Sequence, residues 1–197
     1  MNLEEYRTVF TVTCLILSLI ASAPALSLFV PFPGGERFSE LWVLGPNHMA
    51  EDYPFNIQVD ATYSVFVGVG NHMGSSSYYL VYVKFRNQTQ SLPNATASEP
   101  SSLAPLYEFR AFVVDGESWE TPLTFRVLEA SRNDDSMFVS RITINDVVFV
   151  VNTFASWDSE YKGFYYQLFF ELWLYDMTSQ SFQFHNRFVG IWLNMTV

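Results

Sequence analysis

The sequence predicts an all-β domain, a two-layer antiparallel sandwich, preceded by one N-terminal transmembrane helix. Three observations lead there. Val9 to Val30 is a run of 22 residues without a charge. Beyond it, short segments alternate apolar and polar residues with a period of two, separated by Gly, Pro, Asn and Asp; this is the pattern of strands and turns. The chain has one cysteine, Cys14, so no intrachain disulfide can form and an apolar core must hold the fold. A domain of roughly 165 residues can bury enough surface for that.

The apolar run is read as a membrane anchor. At about 1.5 Å per residue its helix would span roughly 33 Å, enough for the hydrocarbon core of a bilayer. Pro24 is tolerable in such a helix, and Cys14 serves in it as a small apolar filler. The alternative is a secretory signal cleaved after Ala23-Pro24-Ala25, which would release a secreted domain. The anchor is preferred because the apolar run continues through Leu26, Leu28, Phe29 and Val30, and because the leading segment carries Glu4 and Glu5 against a single Arg7. The resulting organisation is a short cytoplasmic tail at 1–8, the anchor at 9–30, a linker at 31–36 and an extracytoplasmic domain at 37–197.

Orientation rests on three sequons, since Arg7 and Arg37 flank the run almost symmetrically. Asn87-Gln88-Thr89, Asn94-Ala95-Thr96 and Asn194-Met195-Thr196 all follow the membrane run and mark N-glycosylation candidates at Asn87, Asn94 and Asn194. Composition agrees. With 20 acidic residues against 10 basic ones, the chain lacks the basic patch that nucleic acid requires.

Pro31-Phe32-Pro33-Gly34-Gly35 stops the helix. Phe38 to Leu44 reads as the first strand, followed by a turn at Gly45-Pro46-Asn47. Phe55–Val59 and Thr62–Gly70 come next. Ser76–Asn87 follows, with Val81, Val83 and Phe85 on its core face. Gln88–Ser102 reads as a loop by composition. Leu106–Val114 is a strand closed by Asp115-Gly116. Trp119–Leu128 is another, with Pro122 marking it as an edge or a strand entry. Met137–Ile144 and Val147–Val151 flank Asn145-Asp146 as a hairpin, and Ser156–Lys162 is an acidic loop.

Phe164–Asp176 is the longest apolar strand, with Phe164, Tyr166, Leu168, Phe170, Leu172 and Leu174 on the core face. Its density of aromatics favours a strand over a helix. Phe188–Met195 closes the fold, with Val189, Ile191 and Leu193 pointing in. About nine such strands with almost no helical periodicity predict an immunoglobulin-like antiparallel β-sandwich.

Several phrases resemble the archaeal membrane-protein family known as domain of unknown function 1616. They are Phe32-Pro33-Gly34-Gly35-Glu36-Arg37-Phe38-Ser39-Glu40-Leu41-Trp42-Val43-Leu44-Gly45-Pro46, Tyr53-Pro54, Gly68-Val69-Gly70-Asn71-His72, Gly116 to Phe125, and Phe170 to Tyr175. The resemblance runs from about Phe29 to the C-terminus. It implies an archaeal cell-surface location and supplies no catalytic residues. Members of that family often carry several spans before this domain, whereas one is read here.

No G-x-S-x-G, P-loop or H-E-x-x-H stands in the sequence, and no catalytic residues or cofactor are expected. His48, His72 and His185 lack metal-ligand spacing. Asp134, Asp135, Asp158 and Glu160 are the calcium candidates, since loop carboxylates supply oxygen ligands; the plainer reading is solvated acidic loops. The functional expectation rests on outward aromatics. Tyr165, Phe169, Trp173 and Tyr175 on one strand, with Phe188 and Trp192 on the next, form an interaction patch if their face is free. The competing reading is that a covering segment, Val147–Trp157, turns that face into a second core. Glu171 and Gln167 on the same face favour exposure. The expected partners are membrane lipid through 9–30, another membrane or cell-surface protein, and a glycan as the alternative ligand.

Overall fold

The computed structural model describes residues 3–29 and 36–196; within the helix, side chains are described from Tyr6 to Ile20. The expected linker positions 31–35 lie outside the described residues. The chain divides into two units, Met1–Arg37 and Phe38–Val197.

The first unit carries one helix, α1 (Leu3–Phe29). Val9, Phe10, Val12, Leu15, Ile16, Leu17, Leu19 and Ile20 are all exposed. The Thr11 and Thr13 hydroxyls donate to the carbonyls of Arg7 and Val9, at 2.7 and 2.8 Å, and Ser18 donates to Leu15 at 2.9 Å. The helix thus absorbs its own polar side chains. Among the described residues, no helix is long and apolar enough to cross a membrane.

The second unit is all β. Its strands are β1 (Phe38–Leu44), β2 (Asn56–Ile57), β3 (Thr62–His72), β4 (Ser77–Asn87), β5 (Tyr107–Val113), β6 (Ser118–Asn133), β7 (Ser136–Ile144), β8 (Val147–Ser156), β9 (Tyr165–Asp176) and β10 (Ser181–Met195). They form two five-stranded sheets, one ordered β1-β3-β6-β7-β8 and the other β2-β10-β9-β4-β5. The chain changes sheet at every step from β1 to β4, and again between β5 and β6 and between β8 and β9. The first edge segment is split, so that β1 pairs antiparallel with β3 while β2 pairs parallel with β10. These crossovers give the sandwich its immunoglobulin-like layout.

The core lies between the sheets. Val65, Val67 and Val69 of β3 and Leu123, Phe125 and Val127 of β6 face Val81, Val83 and Phe85 of β4 and Tyr166, Leu168, Phe170 and Leu172 of β9. The strict period of two in these strands is what puts them there. Tyr166 stacks on Phe85 with ring centroids 5.2 Å apart, and its hydroxyl donates to the Met137 carbonyl across the core at 2.6 Å.

Three strands differ from the sequence expectation, β8 by running on to Ser156 instead of ending at Val151. Pro122 does not mark an edge strand: β6 is central, between β3 and β7. The proline is accommodated because β7 pairs with β6 only from Phe125 onward, leaving Pro122 opposite Phe66 alone. The last strand begins at Ser181 rather than Phe188. A bulge between Phe184 and Arg187, with Asn186 at φ 55°, breaks the alternation that would have announced it. The expected hairpin turn is present, with Asn145 and Asp146 at φ 48° and 63° as a two-residue loop of that kind requires.

Candidate functional site: the outer face of the second sheet

Alternation places Leu80, Tyr82, Lys84 and Arg86 of β4, Gln167, Phe169, Glu171 and Trp173 of β9, and Gly190 and Trp192 of β10 on the outer face of the second sheet. Most of this face is closed. Leu80, Lys84, Arg86, Gln167, Phe169 and Glu171 are buried, Phe169 and Glu171 completely. The cover comes from the segment between β4 and β5. Lys84 Nζ lies 2.9 Å from Glu171 Oε2 and donates to the Ser101 carbonyl at 2.8 Å. The Ser101 amide donates to Glu171 Oε1 at 2.9 Å, and Arg86 donates to the Gln90 carbonyl. The Trp173 indole donates to Glu171 at 3.3 Å.

This arrangement corrects two expectations. Glu171 does not signal an exposed face; it is the acceptor at the centre of a buried polar network. The covering segment is not Val147–Trp157, whose β8 is an edge strand of the other sheet with Val147, Val148, Val150 and Phe154 exposed. It is the stretch after β4, which composition marked only as a loop. Fixed backbone groups at Gln90 and Ser101 are what make that loop a lid on the sheet.

The six expected patch residues therefore separate. Phe169 is fully buried and cannot take part in an exposed patch. Trp173, Tyr175 and Phe188 are half-buried, Trp173 packing edge-on against Tyr82 and Tyr175 against Phe182. Trp192, 41% exposed, and Tyr165 come together at one end of the sheet. There they line a cleft of about 340 Å³ with Phe55, Gln88, Asp158 and Tyr161. Trp192 and Phe55 also wall an adjoining depression over Tyr53, Val189 and Gly190.

Local chemistry fixes each wall. The Tyr165 hydroxyl donates to the Tyr161 carbonyl at 2.6 Å, and its ring lies 6.1 Å from that of Phe55. Asp158 Oδ1 accepts the amides of Glu160 and Tyr161 at 2.9 and 3.0 Å, a turn that presents Tyr161. Gln88 Nε2 donates to the Ser156 carbonyl at 3.0 Å. That bond fixes the carboxamide and leaves Gln88 Oε1 buried without a partner. Behind the cleft, the Arg86 guanidinium lies 5.4 Å from the Trp192 ring centroid; burial lowers its pKa from the ordinary value. Phe55, Gln88 and Tyr161 carry no motif that sequence reading could have singled out. They reach the cleft from the segment just before β2 and from two loops that only the sandwich brings together.

The calcium candidates do not converge. Among the described residues, no three His, Cys, Asp or Glu side chains are grouped to hold a metal ion. Asp158 Oδ1 is engaged in its own turn, and Asp135 meets that loop through its carbonyl, which accepts the Trp157 amide at 2.8 Å. His48 and His72 take surface roles, at 2.7 Å from Glu120 and 3.7 Å from Glu40.

The sequons differ in kind. Asn194 is engaged at both ends of its amide, donating to Asn56 Oδ1 at 2.9 Å and accepting the Phe164 amide at 3.2 Å. Asn87 donates to the Phe154 carbonyl at 2.7 Å and accepts from Thr89 and Gln90. Asn94 is exposed, and only its oxygen is engaged, by the amides of Thr96 and Ala97.

Trp42, Gly68 and Glu120 meet on the outer face of the first sheet, and Asn71 faces inward. The Trp42 ring lies so close over Gly68 that a Cβ there would stand 2.2 Å from it. The Trp42 indole donates to Glu120 at 3.1 Å. Asn71, fully buried, donates to the carbonyls of Ser75 and Val113 and accepts from Tyr79. These residues lock β1, β3, β5 and β6 to one another, a structural task.

The sequence profile described as Domain of unknown function (DUF1616) matches residues 33–138. That stretch contributes Phe55 and Gln88 to the cleft, and the other four walls lie beyond it. No curated protein matches the sequence. Among solved structures, the CARDB domain of a Pyrococcus furiosus protein, in complex with di-metal ions, is similar at a TM-score of 0.41 and 8% identity. The match covers 84% of this chain and 93% of that domain. A β-glucosidase from Listeria innocua, in complex with glucose, is similar at 0.40 and 7% identity. That match covers 82% of this chain and 16% of the enzyme's length, so this chain corresponds in size to a small part of it.

Proposed function

This chain belongs to the family described as Domain of unknown function (DUF1616), and we propose that it is a non-catalytic, membrane-anchored binding module whose sandwich faces the extracytoplasmic side. The observation that carries the binding role is the cleft at Trp192. It gathers four aromatic side chains around the Asp158 carboxylate, at one end of a sheet face whose centre is closed by its own lid. Aromatic residues held rigid and half open are the usual anchors of recognition surfaces. The partner is another component of the membrane or cell surface.

Support for the anchor comes from the first unit. The described part of the helix is not by itself long and apolar enough to cross a membrane; the reading rests on the uncharged sequence Val9 to Val30, whose 22 residues would span roughly 33 Å as a helix. Its described apolar side chains point to every side, and the uncharged sequence continues from Ile20 to Val30. Its hydroxyls bond to its own backbone, as a low-dielectric surrounding demands. The three sequons, all beyond this run, support the orientation.

The test is a mild-detergent pull-down of the full-length protein from native membranes, run in parallel with Trp192→Ala. Sedimentation of the protein with membranes after an alkaline carbonate wash is the expected result for the anchor. A stoichiometric partner retained by the wild type and lost from the variant is the expected result for the module. Recovery of the protein in the carbonate supernatant would refute the anchor, and equal retention by both forms would refute the cleft as the binding face.

A further inference from the structure

We propose that the cleft between Phe55, Tyr161, Tyr165 and Trp192 is a saccharide subsite, taking an uncharged pyranose with its C–H face against the aromatic walls and its hydroxyl groups donating to Asp158. The inference rests on reading this cleft as the binding face and names the class of ligand it takes.

The polar lining decides the ligand's hydrogen-bond character. Gln88 Oε1 is buried and unpartnered, and its orientation is set by the Nε2 bond to the Ser156 carbonyl. Asp158 uses Oδ1 for the two amides of its turn, which leaves Oδ2 as a second acceptor. Gln88 Oε1 is thus shut away from the cleft, the Asp158 carboxylate asks for a donor, and neither side chain offers a cation. The Tyr165 hydroxyl, already donating to the Tyr161 carbonyl, is held as wall rather than as a donor to the ligand. A ligand rich in hydroxyl groups answers this pattern, since each hydroxyl can donate.

Charge decides between a neutral ligand and its charged rivals. An anionic ligand, such as an acidic sugar or a phosphate, would meet Asp158 in a domain of strongly acidic composition. A quaternary ammonium would suit an aromatic cage in general. Here, however, the Arg86 guanidinium already lies against the Trp192 ring at 5.4 Å. A second positive charge on that ring would be repelled by the first. Asp158 and Arg86 balance each other around the cleft, which leaves an uncharged ligand as the complement. The volume, about 340 Å³, falls at the small end of ligand pockets, fitting one or two rings of a longer chain that would exit along the depression beside Gly190.

The experiment is isothermal titration of the full-length protein in lipid nanodiscs, which avoids sugar-based detergents that would compete. The probes are cellotriose, maltotriose and mannotriose as neutral saccharides, trigalacturonate as the anionic control and tetramethylammonium as the cationic control. At least one neutral trisaccharide should bind saturably, with Kd on the order of a millimolar or tighter. Both controls should give no saturable heat. Trp192→Ala should weaken binding at least tenfold and Asp158→Asn several-fold. Tyr161→Ala, on an exposed side chain, should weaken it as well, and it remains a valid test if Trp192→Ala unfolds. Saturable binding of tetramethylammonium without the saccharides, no binding of any neutral probe, or binding unchanged in Trp192→Ala and Tyr161→Ala would each overturn the assignment. A protein partner lost from Trp192→Ala in the pull-down, with no saccharide bound, would overturn the saccharide alone and leave the module standing.

Discussion

Lys84 and Glu171 form an ion pair 2.9 Å long across β4 and β9, on the outer face of a sheet, with both side chains shut away from water. They are diagonal neighbours in the register, Tyr82 standing opposite Glu171 and Lys84 opposite Phe169. The pair is completed by the carbonyl and amide of Ser101, one on each partner. Four groups thus satisfy one another, and the loop is fastened to the sheet by the same bonds.

Removing one partner should therefore be costly. Lys84→Met leaves a buried carboxylate without its cation, and the expected loss is about 3–5 kcal/mol in chemical denaturation. The double variant Lys84→Met with Glu171→Leu should recover most of that loss, because two apolar groups replace the pair and no charge is stranded. The single variant should also loosen residues 88–106, read as faster proteolytic cleavage there. A double variant no better than the single would refute the account of the pair.

Tyr166 crosses the core to donate to the Met137 carbonyl at 2.6 Å. Tyr166→Phe keeps the ring against Phe85 and strands that carbonyl, so a loss of about 1–2 kcal/mol is expected. Burial raises the phenol's pKa well above its ordinary 10.0. A folded-state pKa above the unfolded one means stability that is complete below about pH 10 and falls as pH rises further. Denaturation measured between about pH 9 and 11 should show that fall in the wild type and a shallower one in Tyr166→Phe.

His185 sits in the β10 bulge. Burial, and then the positive charge of Arg187, lower its pKa below the ordinary 6.5. The folded state then binds a proton less readily than the unfolded chain. This contribution to stability is intact above about pH 6.5 and is lost as pH falls through the lowered value. Thermal unfolding measured from pH 7.5 to 5 should show a decline that His185→Gln reduces. An unchanged slope would mean that other groups carry the acid sensitivity.

The sequons should behave unequally. Asn94→Gln removes nothing but an exposed turn cap and should change stability by less than about 1 kcal/mol. Asn194→Gln breaks the bonds to Asn56 and Phe164 that tie β10 to its neighbours and should cost about 1–2 kcal/mol. Glycopeptide mass spectrometry of the native protein should find glycan at Asn94 and none at Asn194. The reverse occupancy would contradict the geometry.

Much of this protein is written along the chain. The period of two in Phe164–Asp176 and in Ser76–Asn87 named the correct core faces, because a strand exposes alternate residues whatever it later packs against. Asn145-Asp146 announced its hairpin because that turn needs two residues tolerant of positive φ. Trp42, Gly68, Asn71 and Glu120, prominent in the sequence phrases, proved to be the fasteners of β1, β3, β5 and β6. Where local rules failed, a neighbour distant in sequence had intervened. Pro122 stands in a central strand because β7 ends short of it. Glu171 is buried because Ser101 and Lys84 arrive from elsewhere to satisfy it. Phe169 vanishes under a lid that composition could describe only as a loop. The cleft at Trp192 belongs to the same class. Its six walls come from β9, β10 and three connecting segments, and neither their meeting nor the unpartnered oxygen of Gln88 has any signature in one dimension. Alternation and turn chemistry are properties of adjacent residues and could be read directly. Burial of a charge and closure of a cleft depend on which segments cross in space, and only the assembled sandwich decided them.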